Sequence, residues 1–283
     1  MGLVTIGTML GTYLVAYFFT DQPEVVALIV IIATGIIFII GHFIISSFVY
    51  LAEANRMKSE FVSITSHQLR TPLSALKWAL NLLMDEQWQE LDQKQKEYLE
   101  IMKINNNRMI RLVNDLLDVS RIEQGRLDLR SGRFSLDDIA RNFVAEVMPI
   151  AEGRKINLDL EVEENLPDGW ADAERVRLVL QNLVDNAIKY SNDDGAVKIR
   201  LSRLGNFLKC EVRDNGVGIP EYQRAEVFQK FFRSDNARKY QTDGTGLGLF
   251  IAKGIIDASE GEIGFYSEEN RGSTFWFTIP IKH

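Results

Sequence analysis

Asn182-Leu183-Val184-Asp185-Asn186-Ala187-Ile188-Lys189-Tyr190 decides how the C-terminal half of this 283-residue chain is read. The segment closes a predicted helix that starts near Ala173. On a helix Asn182, Asn186 and Lys189 stand at i, i+4 and i+7, hence on one face. That face offers two amide oxygens and one cation. Such a set suits a magnesium ion bridging phosphates, because Mg²⁺ takes oxygen ligands and keeps water and phosphate oxygens around it. In isolation the same face would be an ordinary solvated surface, so its meaning depends on its neighbours.

Downstream, Asp214-Asn215-Gly216-Val217-Gly218 follows an alternating strand (Leu208, Cys210, Val212) and reads as a turn whose missing Cβ atoms let backbone approach a ligand. Gly244-Thr245-Gly246-Leu247-Gly248-Leu249 then leads into a predicted helix around Phe250–Ala258, where free N–H groups favour phosphate. Between the glycine strings lies Val227-Phe228-Gln229-Lys230-Phe231-Phe232-Arg233, its phenylalanines read as packing residues, with Arg233, Arg238 or Lys239 as the cation for a terminal phosphate. Further alternation at Ile156–Val162, Val197–Leu201, Glu262–Glu268 and Ser273–Ile281 predicts strands, and Ser135 to Asp138 caps a helix running toward Ile150. Residues 126–283 are thus expected to form an α/β sandwich with helices on one face of a mixed sheet.

Upstream, Val62, Ser66, Leu69, Leu73, Leu76, Leu80 and Leu83 recur at alternating spacings of four and three. After a polar turn, Leu99, Met102, Asn106, Met109, Val113, Leu116 and Ser120 do the same, up to Gly125. Two helices with one seam each bury it best against a second copy, so residues 52–125 are expected to form an α-helical hairpin that pairs into a dimeric four-helix bundle. On this register His67 stands beside the seam, facing solvent, and Pro72 removes an N–H from the ladder close by, so a bend is expected there.

Residues 1–20 carry no charged side chain, and Val25–Ala52 is a second uncharged run. The second exceeds the ~20 residues a membrane helix needs and the first just suffices, so residues 1–51 are expected to be a two-helix transmembrane hairpin. A cleaved signal peptide is the alternative for the first run, but no Lys or Arg precedes Arg56. Asp21 and Glu24 in the short loop, against Arg56 and Lys58 beyond the second run, predict both termini on the cytoplasmic side of the membrane. Gly7 and Gly11 have the spacing of a close helix contact, and His42 lies within the second run. The net charge is −7 with no concentrated basic patch, which argues against nucleic-acid binding, and the single Cys210 excludes an internal disulfide.

The order of Ser66-His67-Gln68-Leu69-Arg70-Thr71-Pro72-Leu73, the asparagine helix and the two glycine strings resembles the membrane-bound sensor histidine kinases of two-component signalling. The resemblance implies ATP and Mg²⁺ as cofactors, autophosphorylation of His67, transfer to an aspartate on a response regulator, and a homodimer embedded in membrane lipid. With no receiver domain after Ile281, the acceptor is expected on another chain. It further implies that Asn186 ligates the metal with Asn182 in support, that Lys189 and Arg233 meet phosphate, and that Tyr190 packs near the base. Asp214 would accept from the adenine amino group, and Gly216, Gly218, Gly244, Thr245, Gly246, Leu247 and Gly248 would line the nucleotide. Thr71 matches a position that orients water for phosphatase activity. Relatives have Glu or Asp where this chain has Gln68, whose amide can orient the imidazole but cannot take up a proton. No linker domain of HAMP or PAS size fits between Leu51 and His67, so the second run is expected to continue as helix into the histidine hairpin. Gyrase-like, Hsp90-like and MutL-like ATPases share the ATP fold but carry a glutamate base where this chain has Asn182. A GHKL-type ATPase and a catalytically weakened receptor or phosphatase are the alternatives.

Overall fold

The computed structural model describes residues 2–19, 22–86, 91–192, 194–240 and 245–281. They fall into two compact units, Met1–Phe61 and Val62–His283.

In the first unit, helix α1 spans Gly2–Phe19, and helix α2 begins at Pro23 and continues to Glu86 in the second unit. Among the described residues, Pro23–Leu51 is the one helix long and apolar enough to cross a membrane. Its large side chains, among them Leu28, Ile32, Phe38 and Phe43, are exposed, which in water would be a large unfavourable apolar surface. Eighteen-residue α1 reaches about 27 Å, short of the ~30 Å hydrocarbon core. Of the two expected spans, the second thus qualifies among the described residues. No Gly or Pro interrupts Ala52–Glu60, and α2 carries the chain helically past His67 as expected.

In the second unit, α3 (Gln93–Glu123) opens with a reciprocal capping box that the sequence reading missed: Asp92 accepts from the Gln95 amide and Gln95 accepts from that of Asp92. It ends where Gly125 turns the chain at φ +62°. Arg70 on α2 donates to Asn114 on α3 at 2.6 Å, and the Asn106 amide donates to the Leu73 carbonyl, so the two helices run antiparallel. Ser66, Leu80, Asn106, Val113 and Ser120 are buried between them, while Leu69, Leu76, Leu83, Met102 and Met109 remain exposed. One heptad column of each helix closes the hairpin and the other is open. The helix assignment passes through Pro72.

The chain continues through β1 (Gly132–Phe134), α4 (Leu136–Gly153), β2 (Asn157–Val162), β3 (Gly169–Ala171), α5 (Ala173–Tyr190), β4 (Ala196–Leu204) and β5 (Phe207–Asp214). A 3-10 turn at Glu221–Glu226 precedes α6 (Asp235–Tyr240), α7 (Gly248–Ala258), β6 (Ile263–Glu268) and β7 (Gly272–Pro280). The main sheet has the order β2-β4-β5-β7-β6, parallel only between β2 and β4. Strands β1 and β3 pair separately, each too short to show alternation in sequence. Every second residue of the central strands, including Val197, Ile199, Leu201, Leu208, Cys210, Phe277 and Ile279, is buried against Phe143 of α4, Leu180 and Leu183 of α5, and Ile251 and Ile255 of α7. Helices α4 and α5 start at the side-chain caps Ser135 and Asp172. Burial also pushes the Cys210 thiol up, as befits a core residue.

Candidate active site

Helix α5 is amphipathic: Val176, Val179, Leu180, Leu183, Val184 and Ala187 enter the core. Its opposite face turns Asn182, Asn186, Lys189 and Tyr190 into a cleft of about 920 Å³, with Asp214 and Gly218 after β5, Arg233 before α6, and Thr245, Gly246 and Gly248 at the start of α7. Residues that are up to 66 positions apart in the chain thus meet in one cavity. Gly216 and Leu247 do not line it. Gly244 lies outside the described residues, as do the side chains of His67, Arg238 and Lys239, while Gln68 and Thr71 are exposed on α2 and do not line the cleft.

Asp214 is buried at the cleft wall. One of its oxygens accepts from the amides of Gly216 at 2.9 Å and Ser273 at 3.2 Å. Burial pushes its carboxyl up to about 6, against the pull of those two donors. The Tyr190 hydroxyl is raised by burial and hydrogen-bonded to the Arg233 side chain, which also donates to the Ala237 carbonyl. The Lys189 ammonium sits 5.2 Å from the Tyr190 ring centre.

The glycines serve the protein's own packing more than the sequence suggested. A Cβ on Gly216 would stand 2.1 Å from the Tyr190 carbonyl oxygen, and Val217 N–H donates to that same carbonyl. Gly218, at φ +62°, would strike the Glu268 carbonyl. Missing Cβ atoms here let the loop after β5 lock onto the end of α5 and onto β6, and Gly218 also lines the cleft. At Gly248 a Cβ would fall 2.7 Å from the Asn182 side-chain oxygen, so the start of α7 and the asparagine of α5 meet inside the cleft. Thr245 Oγ1 accepts from the Leu247 amide, and buried Leu247 caps α7.

Among the phenylalanines, Phe232 packs on the core and Phe228 meets Phe265 edge to face. Phe231 departs from the expectation: it is 61% exposed at φ +62°, and its amide donates to the Gly246 carbonyl, so its backbone holds the glycine string while its ring faces water.

The sequence reading missed a further wall, made by Arg70 of α2 and by Arg108, Arg111, Asp115 and Asp118 of α3. These α3 residues recur at spacings of three, four and three, but on a polar face that periodicity alone assigns to solvent. Asp118 pairs with Arg175 of α5 at 2.8 Å, largely out of solvent, and Glu123 pairs with Lys230. Between these pairs Ile122 fills the space over Gly254 of α7. Burial and the nearby Asp118 push Asp115 up to about 6, with Arg111 opposing them.

Comparison with known proteins matches this arrangement. Residues 57–125 match the His Kinase A (phospho-acceptor) domain, and residues 171–283 match the histidine kinase-, DNA gyrase B-, and HSP90-like ATPase family. The chain is 35% identical over 235 residues to the non-motile and phage-resistance protein of Caulobacter vibrioides, covering 81% of this chain and 28% of that protein. It is 35% identical over 229 residues to the circadian input-output histidine kinase CikA of Synechococcus elongatus (80% and 30%), and 36% identical over 234 residues to the signal transduction histidine-protein kinase BarA of Escherichia coli K12 (81% and 25%). The chain spans about a quarter to a third of these relatives' lengths. Its fold is similar to that of full-length ShkA in complex with AMPPNP, with a TM-score of 0.65 and 29% identity over 78% of this chain and 45% of that one. A phospho-acceptor helical region joined to an ATPase domain of this type places the chain among the histidine kinases.

Proposed function

We propose that the chain is an ATP-dependent protein histidine kinase that phosphorylates its own His67 and passes the group to an aspartate of a separate response regulator. The observation that carries this reading is the single cleft in which Asn182, Asn186, Lys189, Asp214, Arg233 and Gly248 meet Arg70, one helical turn beyond His67. ATP is the nucleotide because Asp214 keeps one carboxylate oxygen for an amino group such as that of adenine, its other oxygen being held by backbone amides. Tyr190 packs near the base, Lys189 and Arg233 meet phosphate, and Gly218, Thr245, Gly246 and Gly248 border the nucleotide. Gly216, Gly244 and Leu247 shape the same loops.

The residues fit a magnesium ion. Asn182 and Asn186 supply neutral amide oxygens, and no group of three or more His, Cys, Asp or Glu side chains suited to a metal occurs among the described residues, so phosphate oxygens and water would complete its shell. Asn186 is the direct ligand and Asn182 its support. Bound there, the ion neutralises phosphate charge.

The imidazole Nε2 lone pair forms the N–P bond to the γ-phosphorus as the bond from phosphorus to the β,γ-bridging oxygen breaks, and that electron pair leaves on ADP. Gln68 accepts from Nδ1–H and so fixes the tautomer, while the proton later departs to water. Thr71 is assigned to orienting water for dephosphorylation. The pairing within the hairpin supports this geometry: the antiparallel contact of Arg70 with Asn114 brings the backbone of His67 level with about Leu117, which lines the cleft.

The domain limits proposed are 1–51 for a multi-pass hairpin in the inner membrane, in contact with lipid, 52–125 for dimerisation and phosphotransfer, and 126–283 for ATP binding on the cytoplasmic side. The exposed heptad column of Leu69, Leu76, Leu83, Met102 and Met109 supports a homodimeric four-helix bundle. Product formation tests the enzyme class. Mixing with ATP should give a burst of about one ADP per chain that then stops, and His67→Ala should abolish it. ADP release that continues through many turnovers and survives His67→Ala would identify an ATPase instead.

A further inference from the structure

Among the described residues, Arg70 is the one α2 side chain that lines the nucleotide cleft. It is half-buried, and its Nη2 donates to Oδ1 of Asn114 across the hairpin at 2.6 Å. A hydrogen bond that merely clamped the hairpin would not need the guanidinium at the cleft wall.

Residues three apart on a helix have Cβ atoms about 5–6 Å from one another. In-line attack brings the reacting atoms to about 3–3.5 Å. A phosphoryl group arriving at His67 is therefore within reach of an arginine three positions along the same helix, however the ATP domain moves to deliver it. The group in transit spreads negative charge over three equatorial oxygens. A guanidinium fork matches such oxygens in pairs, which a lysine ammonium does not. Asn114 is neutral, so it aims the fork without cancelling its charge, and the neighbour of His67, Gln68, is neutral as well.

We propose that Arg70, aimed by Asn114, is a further catalytic residue, binding the equatorial oxygens of the phosphoryl group as it passes from ATP to His67. This rests on the phosphotransfer reading above. Asn114 is the positioning residue: it touches no substrate and acts through Arg70.

The test uses the full chain in detergent, measuring initial rates of acid-labile labelling from γ-labelled ATP over a range of ATP concentrations. Arg70→Gln is expected to lower the maximal rate roughly 100-fold, as loss of one transition-state donor does elsewhere. ATP half-saturation and the melting temperature should stay unchanged. Arg70→Lys should recover part of the rate, since it restores charge but not the fork. Asn114→Ala should slow labelling several-fold alone and have no further effect on top of Arg70→Gln. The proposal is overturned if Arg70→Gln labels at the wild-type rate, if the loss lies wholly in ATP half-saturation, or if it parallels a loss of helical signal that Arg70→Lys shares in full. Should Arg70→Gln fail to fold, Asn114→Ala decides, and an unchanged rate sinks the idea. Wild-type protein that takes no label contradicts the phosphotransfer reading itself.

Discussion

Burial raises the Asp214 carboxyl from 3.8 to about 6, so the folded chain holds that proton more tightly than the unfolded chain does. The stabilisation from this group is complete below about pH 4 and is lost as pH rises through about 6, a difference on the order of 3 kcal/mol. Ionised Asp214 is thus a cost carried at neutral pH, retained because an acceptor facing the cleft needs it. Asp214→Asn is expected to melt higher than wild type at pH 8, with the gap closing toward pH 4, while its affinity for ATP falls. A variant that melts lower at pH 8 than wild type would contradict this account. Gln68 is the other residue with a specific expectation. Gln68→Glu restores a group that can take up the imidazole proton and should speed labelling of His67, and an unchanged rate would show that the amide is not limiting. Neither residue's chemistry needed the structure to be noticed, but the environment of Asp214 did. Its two amide donors come from Gly216 and from Ser273, the latter 59 positions away.

At the scale of elements, α5 was legible nearly to the residue, because its core stripe and its polar face follow one helical period between a cap at Asp172 and the turn after Tyr190. The long strands were legible for the same reason, with buried and exposed residues alternating along β4 and β5. What sequence could not give was the use of a polar face whose partner is distant. The α3 residues Arg111, Asp115 and Asp118 gain meaning only once Arg175 and the cleft lie beside them. The docking of α3 on α7 turns on Gly254, where a Cβ would fall 2.6–2.8 Å from three carbons of Ile122. Gly254→Val should therefore push the helices apart and weaken ATP-domain docking, read as faster proteolysis between residues 124 and 131 with the ATP domain itself still intact. Equal proteolysis would count against that contact. The open column on the hairpin gives a second expectation. Leu76→Lys with Met109→Glu should turn a dimer into a monomer in analytical ultracentrifugation, with helix content retained, and an undiminished dimer would place the interface elsewhere.

For the whole molecule, the ordered boxes disclosed an ATPase-type α/β domain behind a histidine hairpin because each box is a local pattern and their order is a global one. The glycines show the limit of such reading. Gly216 and Gly218 are where the boxes require them, yet their missing Cβ atoms serve the Tyr190 and Glu268 carbonyls. Length and composition make Pro23–Leu51 a candidate span among the described residues. Helix α2 then continues from that span through His67 to Glu86, so the apolar run and the histidine belong to one element. The account stands or falls on phosphate moving from ATP to that histidine. Incubation of the full chain with γ-labelled ATP should give acid-labile, alkali-stable label that maps to the peptide containing His67 and is absent from His67→Ala. Equal labelling of the two proteins, or label on another peptide, would contradict it.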